Sequence, residues 1–308
     1  VKYVPQYQFD DWSVKDPLAN YELFLVECGI LTEMSIQEKR LIIKESIQEN
    51  WNKAIGYANV KASTAQEIQD VYAMYNPVSV DPSHKTKEMR FVDAISDGLK
   101  EAMMNDDNLV VMGQDVGDYG GVFKITDGFV ELFGAERVRD TPLCESAILS
   151  ASLGYSIAGC KSVVEMQFAD FVSSGFTAIV NNLAKSHYRW GQAASVVVRM
   201  PTGAGVGAGP YHSQSNEGWF THTAGLKVVF PSSPRDAKGM LLAAIDDPNP
   251  VMFFEHKALY RSLKDDVPVG YYTTSIDQGA VIQEGSDVTI ITYGMGVHWA
   301  KEIAEVLH

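Results

Sequence analysis

The chain has 308 residues, 46% hydrophobic and 21% charged, with a net charge of −14. That length and balance suit about two globular domains with a sizeable core, and the acidic sum argues against a nucleic-acid surface, which needs a basic footprint. Cys28, Cys144 and Cys160 form no C-x-x-C pair, no apolar run is long enough to span a bilayer, and no signal-peptide pattern opens the chain, so a reducing cytoplasmic setting fits and a thiolate metal site does not.

Residues 1–76 read as a helical segment. Asp16-Pro17 supplies an N-cap and a proline at the first helical position, and Gly29 a stop. Ser35-Ile-Gln-Glu38 predicts a capping box for a second helix, with Ile36, Ile43, Ile47, Trp51 and Ala54 on one face. A third helical run reaches Tyr75. Residues 77–88 are polar, carry Pro77 and Pro82 and show no period, which predicts a linker.

From residue 89 to 270 helical and strand patterns alternate. Phe91, Ile95, Leu99 and Ala102 make a helix face, and Asn108–Gly113 is a buried-type strand. A short strand at Arg137–Arg139 follows. Later apolar runs are Val163–Gln167, Ser195–Arg199, Leu226–Phe230 and Val251–Glu255, with helices predicted over Phe171–His187 and Pro234–Ile245. Such alternation predicts an α/β domain with a largely parallel sheet covered on both faces, and ligands beyond the carboxyl ends of its strands. Residues 271–308 read as the start of a further α/β domain, a strand over Asp287–Gly294 leading into a helix. Val1 in place of methionine, and a helical pattern reaching His308 without a stop signal, predict a piece of a longer polypeptide.

The candidate chemistry starts at Thr141-Pro-Leu-Cys-Glu145, a strand-to-helix corner. A carboxylate with apolar backing there can share a proton with a ligand nitrogen. It can equally complement the dipole of the helix that follows, for about 0.3–1 kcal/mol. That helix has small residues at Ala147, Ala151, Gly154 and Ala158, which suits either a tight core helix or a seam with another domain or subunit. Gln167, at a strand end beside Phe168 and Phe171, suits a flat heterocycle, although both rings could be plain core. Gly203-x-Gly205-x-x-Ala208 fits a dinucleotide fingerprint, but no apolar helix follows it and Thr221–Val229 holds no acidic ribose partner. The glycines read as a loop that delivers His212, with Ser213 and Gln214 beside it.

Taken together, Thr141-Pro-Leu-Cys-Glu145, Glu165-Met-Gln-Phe-Ala-Asp170, Tyr211-His-Ser-Gln-Ser215, Gly225-Leu-Lys-Val-Val-Phe-Pro231 and Asn249-Pro-Val-Met-Phe-Phe-Glu255 resemble the β subunit of the decarboxylating component of 2-oxo acid dehydrogenase complexes. The resemblance covers about residues 88–308 and is nearer to branched-chain 2-oxo acid enzymes than to pyruvate enzymes. Residues 1–76 are similar to the tail of the α subunit of the same enzyme, around Asp16-Pro-Leu-Ala-Asn-Tyr-Glu-Leu-Phe-Leu25. The resemblance implies a transketolase-like pyrimidine-binding domain and thiamine diphosphate as cofactor. It implies that Glu145 binds a ring nitrogen of the aminopyrimidine and activates the cofactor for decarboxylating a 2-oxo acid. By the same carry-over Leu143, Gln167 and Phe171 contact the pyrimidine, Phe171 standing where branched-chain relatives often have tyrosine, and His212 acts near the reacting carbon in acyl transfer.

The acceptor implied is lipoyl-lysine on an acyltransferase partner. Asp247 and Asn249 match a monovalent cation site, potassium in kind, although Asp-Asp-Pro-Asn-Pro is also an ordinary turn. The diphosphate and a divalent metal, magnesium in kind, would be held by an α-type domain through a Gly-Asp-Gly motif that does not occur in this sequence. The assembly would then be a homo- or hetero-oligomer. Two other readings stay open, a non-catalytic assembly module and a nicotinamide-dependent dehydrogenase using the Gly203–Gly209 loop.

Overall fold

The computed structural model describes residues 3–307. The chain divides into two compact units, the first ending at Ser63 and the second beginning at Thr64. In the first unit, α1 spans Gln6–Ser13, α2 Pro17–Glu27 and α3 Glu33–Ile55. Asp16 caps α2 as its spacing predicts, Oδ1 accepting from the Ala19 amide at 2.8 Å. The capping box of α3 lies three residues earlier than expected. Thr32 adopts the extended N-cap conformation, and its hydroxyl and that of Ser35 each accept the other's backbone amide. Ser35 is therefore the reciprocal partner and not the cap itself. Ile36 is buried, whereas Ile43, Ile47 and Trp51 of the predicted apolar face are about 60% exposed.

The second unit opens with α4 (Thr64–Asp70) and continues β1 (Thr86–Arg90), α5 (Phe91–Asn105), β2 (Leu109–Gly113), α6 (Phe129–Phe133), β3 (Val138–Asp140) and α7 (Glu145–Ile157). It goes on through β4 (Lys161–Glu165), α8 (Ser186–Trp190), β5 (Val196–Thr202), α9 (Gly218–Thr221), β6 (Lys227–Val229) and α10 (Pro234–Asp246). It closes with β7 (Val251–His256), α11 (Leu259–Ser262), β8 (Lys264–Pro268) and α12 (Met295–Leu307). Six strands form one sheet in the order β3-β2-β4-β5-β7-β6, and all its pairings are parallel. The fold is α/β.

Parallel strands need both faces covered, and alternating side chains feed two cores. On one face Leu109, Val111, Val163, Val197, Val251 and Phe253 pack with α5 and α10. On the other, Val110, Met112, Val164, Val198, Met252 and Phe254 pack with α7 and the segment 178–184. The expected α5 face is fully engaged, with Phe91, Ile95 and Leu99 at 0% exposure.

Three expectations change. Residues 86–88 belong to β1, which pairs antiparallel with β8, so the polar stretch ends in a strand because Lys264–Pro268 offers it an edge. The continuous helix expected over Phe171–His187 is replaced by a 3₁₀ turn (Ala169–Gly175), a wider π-type turn (Ala178–Leu183) and α8. Asp287–Gly294 forms no strand; Val288 is 72% and Ile291 94% exposed, and α12 follows. An apolar run becomes a strand only where a neighbour takes up its backbone groups, and none does here among the described residues.

Candidate active site at the carboxyl edge of the sheet

Of the residues singled out in the sequence, Leu143, Glu145, Gln167, Phe171 and His212 hang from the carboxyl ends of adjacent or near-adjacent strands. β3 leads through Thr141 and Pro142 to Leu143 and Glu145, the first residue of α7. β4 leads to Gln167 and Phe171, β5 to the glycine loop and His212, and β7 to His256 and Lys257. Leu143 projects into solvent at 78% exposure.

Glu145 Oε2 accepts a hydrogen bond from Ser174 Oγ at 3.0 Å, and the same hydroxyl lies 3.0 Å from the Phe171 carbonyl. The 3₁₀ turn therefore orients the carboxylate. Gly175 lets that turn approach α7, since a Cβ there would lie 2.2 Å from Leu149 Cδ1. Gln167 Nε2 donates to Asp115 Oδ2 at 3.0 Å, and Asp115 adopts a left-handed backbone conformation at φ 57°. The amide plane is thus held by the β2 loop.

Phe168, Phe171 and His212 form an edge-on ring cluster, with His212 4.6 Å from Phe168 and 5.5 Å from Phe171 between centroids. The glycine loop that carries His212 takes positive φ at Gly203, Gly205, Gly207 and Gly209 and runs into a short 3₁₀ turn, Pro210–His212. No helix follows the glycines, so the dinucleotide geometry is not formed. Its base is closed: the Gln214 carbonyl accepts from Thr202 Oγ1 and from the Gly203 amide, each at 2.9 Å. Asp170 Oδ1 accepts from the Ser213 and Gln214 amides, each at 3.1 Å.

Beneath this edge lies a buried charge cluster. Arg199, fully buried, donates to Glu255 through Nε (2.8 Å) and Nη2 (2.7 Å) and to Glu165 through Nη1 (2.8 Å). Tyr260 donates a further bond to Glu255 at 2.5 Å. Burial pushes the Glu165 carboxyl up, and the Arg199 charge only partly offsets it. A cavity of about 430 Å³ adjoins Thr141 and Pro142, lined also by Gly117, Asp140 and Tyr155, without including Glu145 or Gln167.

With that geometry in hand, comparison with known proteins is decisive. Residues 87–262 match the family described as "Transketolase, pyrimidine binding domain". The chain belongs to that family. Within it, the chain is 48% identical over 223 residues to the 2-oxoisovalerate dehydrogenase subunit beta of Bacillus subtilis (strain 168), covering 71% of this chain and 68% of that protein. It is 43% identical to the mitochondrial counterpart of Dictyostelium discoideum, covering 71% and 60%. Against the pyruvate dehydrogenase E1 component subunit beta of Staphylococcus aureus (strain Mu50) the identity is 42%, covering 71% and 68%. The chain is thus a member of the β-subunit family of the decarboxylating component of 2-oxo acid dehydrogenases, and spans 60–68% of the length of these relatives. A solved "Split gene transketolase, inactive beta4 tetramer" shares the fold at a TM-score of 0.57 and 22% identity, covering 71% of this chain and 67% of the other.

Glu145, Gln167, Phe171 and His212 therefore share one edge of the pyrimidine-binding domain, with Leu143 exposed beside them. Asp247 and Asn249 lie at the opposite, amino-terminal edge, in the turn before β7. Asp247, 1% exposed, meets the Lys227 ammonium at 2.6 Å, and its other oxygen accepts from the Asn249 amide and Nδ2. Asn249 in turn exchanges hydrogen bonds with the backbone of Ala73. The charge of that turn is met by a lysine. Among the described residues no three His, Cys, Asp or Glu side chains converge to hold a metal ion, and no helix is long and apolar enough to cross a membrane. Sequence reasoning missed Ser174, Asp115 and Lys257. None carries a local signal, because each acquires its partner from a distant segment.

Proposed function

We propose that this chain supplies the pyrimidine-side wall of a thiamine-diphosphate site in an enzyme that oxidatively decarboxylates a 2-oxo acid, a branched-chain one in preference to pyruvate. The observation that carries the reading is the Glu145 carboxylate, set at the head of α7 and oriented by Ser174, with Gln167 and the Phe171–His212 rings on the same edge. This donor set fits an aminopyrimidine: a carboxylate for a ring nitrogen, an amide for the polar rim, and an exposed leucine and ring faces for the flat surface. When bound, the cofactor would supply a carbon nucleophile and an electron sink for loss of carbon dioxide.

The chain's own residues do the rest. Glu145 would hold a proton at a ring nitrogen of the pyrimidine, and Ser174 keeps that carboxylate oriented. Gln167, itself anchored by Asp115, would fix the rotation of the ring, and Leu143 would cover one of its faces. His212 stands over the aromatic cluster, where it could protonate the sulfur set free when the disulfide of lipoyl-lysine on an acyltransferase opens and its other sulfur takes the acyl group. An α-type domain would bind the diphosphate and a divalent metal. Glu145→Gln in the enzyme assembled with that domain tests the reading. Loss of decarboxylation, together with loss of the cofactor's near-ultraviolet dichroism signal, is expected. Unchanged turnover would sink the assignment.

The exposed apolar positions of α3, among them Ile43, Ile47 and Trp51, favour an additional assembly role, which is compatible with the catalytic one.

A further inference from the structure

Lys257 follows the last residue of β7 and has no place in the wall just described. It is 3% exposed, and its Nζ has no hydrogen-bond partner. The ammonium lies 5.5 Å from the centroid of Phe168, the ring on which His212 packs edge-on at 4.6 Å. Asp170, 7% exposed, lies two residues after Phe168. Its Oδ1 grips the two amides that follow His212, while Oδ2 is buried without a partner. The two opposite charges make no ion pair within 4.0 Å, yet both are buried with unfilled hydrogen-bonding capacity and both bear on His212, one through Phe168 and one through the following amides. The ring lying over the cation adds an attractive contact of its own.

We propose that Lys257 and Asp170, two buried opposite charges, position His212 from two sides. Asp170 pins the backbone immediately after the histidine, and Lys257 both balances that carboxylate and backs the ring that seats the imidazole. Burial lowers the Lys257 ammonium to about 8 and Asp170 opposes the shift, which agrees with the two charges sensing each other. Both are positioning residues, acting through His212. The consequence for catalysis rests on the functional reading above, but the structural claim does not.

The test is hydrogen-exchange mass spectrometry on the chain itself, comparing peptides across residues 204–216 in the wild type, Lys257→Met, Lys257→Arg and Asp170→Asn. Loss of either charge should speed exchange at Ser213 and Gln214 about tenfold, the scale of a lost charge-assisted hydrogen bond, while α5 is unaffected. Lys257→Arg should restore slow exchange. Unchanged exchange at 212–216 in Asp170→Asn, or acceleration spread equally over α5 and α10, would overturn the proposal. In the assembled enzyme Lys257→Met should lower kcat with cofactor affinity unchanged. Faster exchange without a kcat effect would uphold the positioning pair and count instead against the role given to His212.

Discussion

Arg199→Met removes the guanidinium that two buried carboxylates share. Three hydrogen bonds go with it, at 2.8, 2.7 and 2.8 Å, all between side chains no more than 2% exposed. Breaking a buried pair from one side typically costs about 3–5 kcal/mol, because the remaining charge is left in a poorly solvating interior. Glu255 keeps its bond from Tyr260, whereas Glu165 has a second oxygen already without a partner. The expected loss is therefore about 4 kcal/mol at pH 7, smaller at pH 5.5, where Glu165, whose carboxyl burial already pushes up, protonates more readily. Urea unfolding followed by circular dichroism at the two pH values measures it. A loss under about 1 kcal/mol at pH 7 would refute the view that the cluster carries uncompensated charge once the arginine is gone. Glu165→Gln supplies the control. The carboxyl of Glu165 is raised above its ordinary 4.5 in the folded protein, so its contribution is full below that value and drains away as pH rises toward the folded pKa. The glutamine variant lacks that drain, and its stability relative to the wild type should improve steadily from pH 4 upward.

Three further outcomes are expected. Ser174→Ala frees the Glu145 carboxylate and should lower kcat of the assembled enzyme about tenfold with little change in melting temperature, the cost of one lost orienting bond. Gly203→Ala should destabilise the domain by at least about 1–2 kcal/mol, because Gly203 sits at φ +83° and a Cβ would lie 2.2 Å from His256 Nε2; calorimetry with an unshifted transition would contradict it. Lys227→Met strands the buried Asp247 and should cost about 3 kcal/mol, whereas replacing potassium by tetramethylammonium should leave the wild-type melting temperature unchanged. A potassium-dependent rise would return Asp247 and Asn249 to the role of cation ligands.

The central strands β2, β4, β5 and β7 were legible because each holds a short run of apolar residues, and a strand buried on both faces needs little more information than that. The same local signal misleads at Asp287–Gly294, where the pattern is right but no edge receives it. The segment 171–187 fails for a different reason. Ser173 and Ser174 hydroxyls bond back to the carbonyls of Asp170 and Phe171, and Gly175 is pressed against Leu149, so tertiary fit selects turns over a continuous helix. Glu145, Gln167 and His212 could be picked out because each sits in a distinctive local string. Lys257 could not, since its burial and its relation to Asp170 bring together residues from β7 and the loop after β4.

The parallel order of the sheet makes the edge a ruler. Glu145 hangs from β3 and Lys257 from β7, four strands further along, a span of about 19 Å at the usual strand spacing. Each side chain is mounted on its own strand end, so the distances among mounting points are set by backbone hydrogen bonding and not by the loops. A loop can lengthen, shorten or exchange its residues without moving its neighbours' anchors. A change in the glycine-rich stretch before His212 therefore leaves the mounting point of the Glu145 carboxylate in its place.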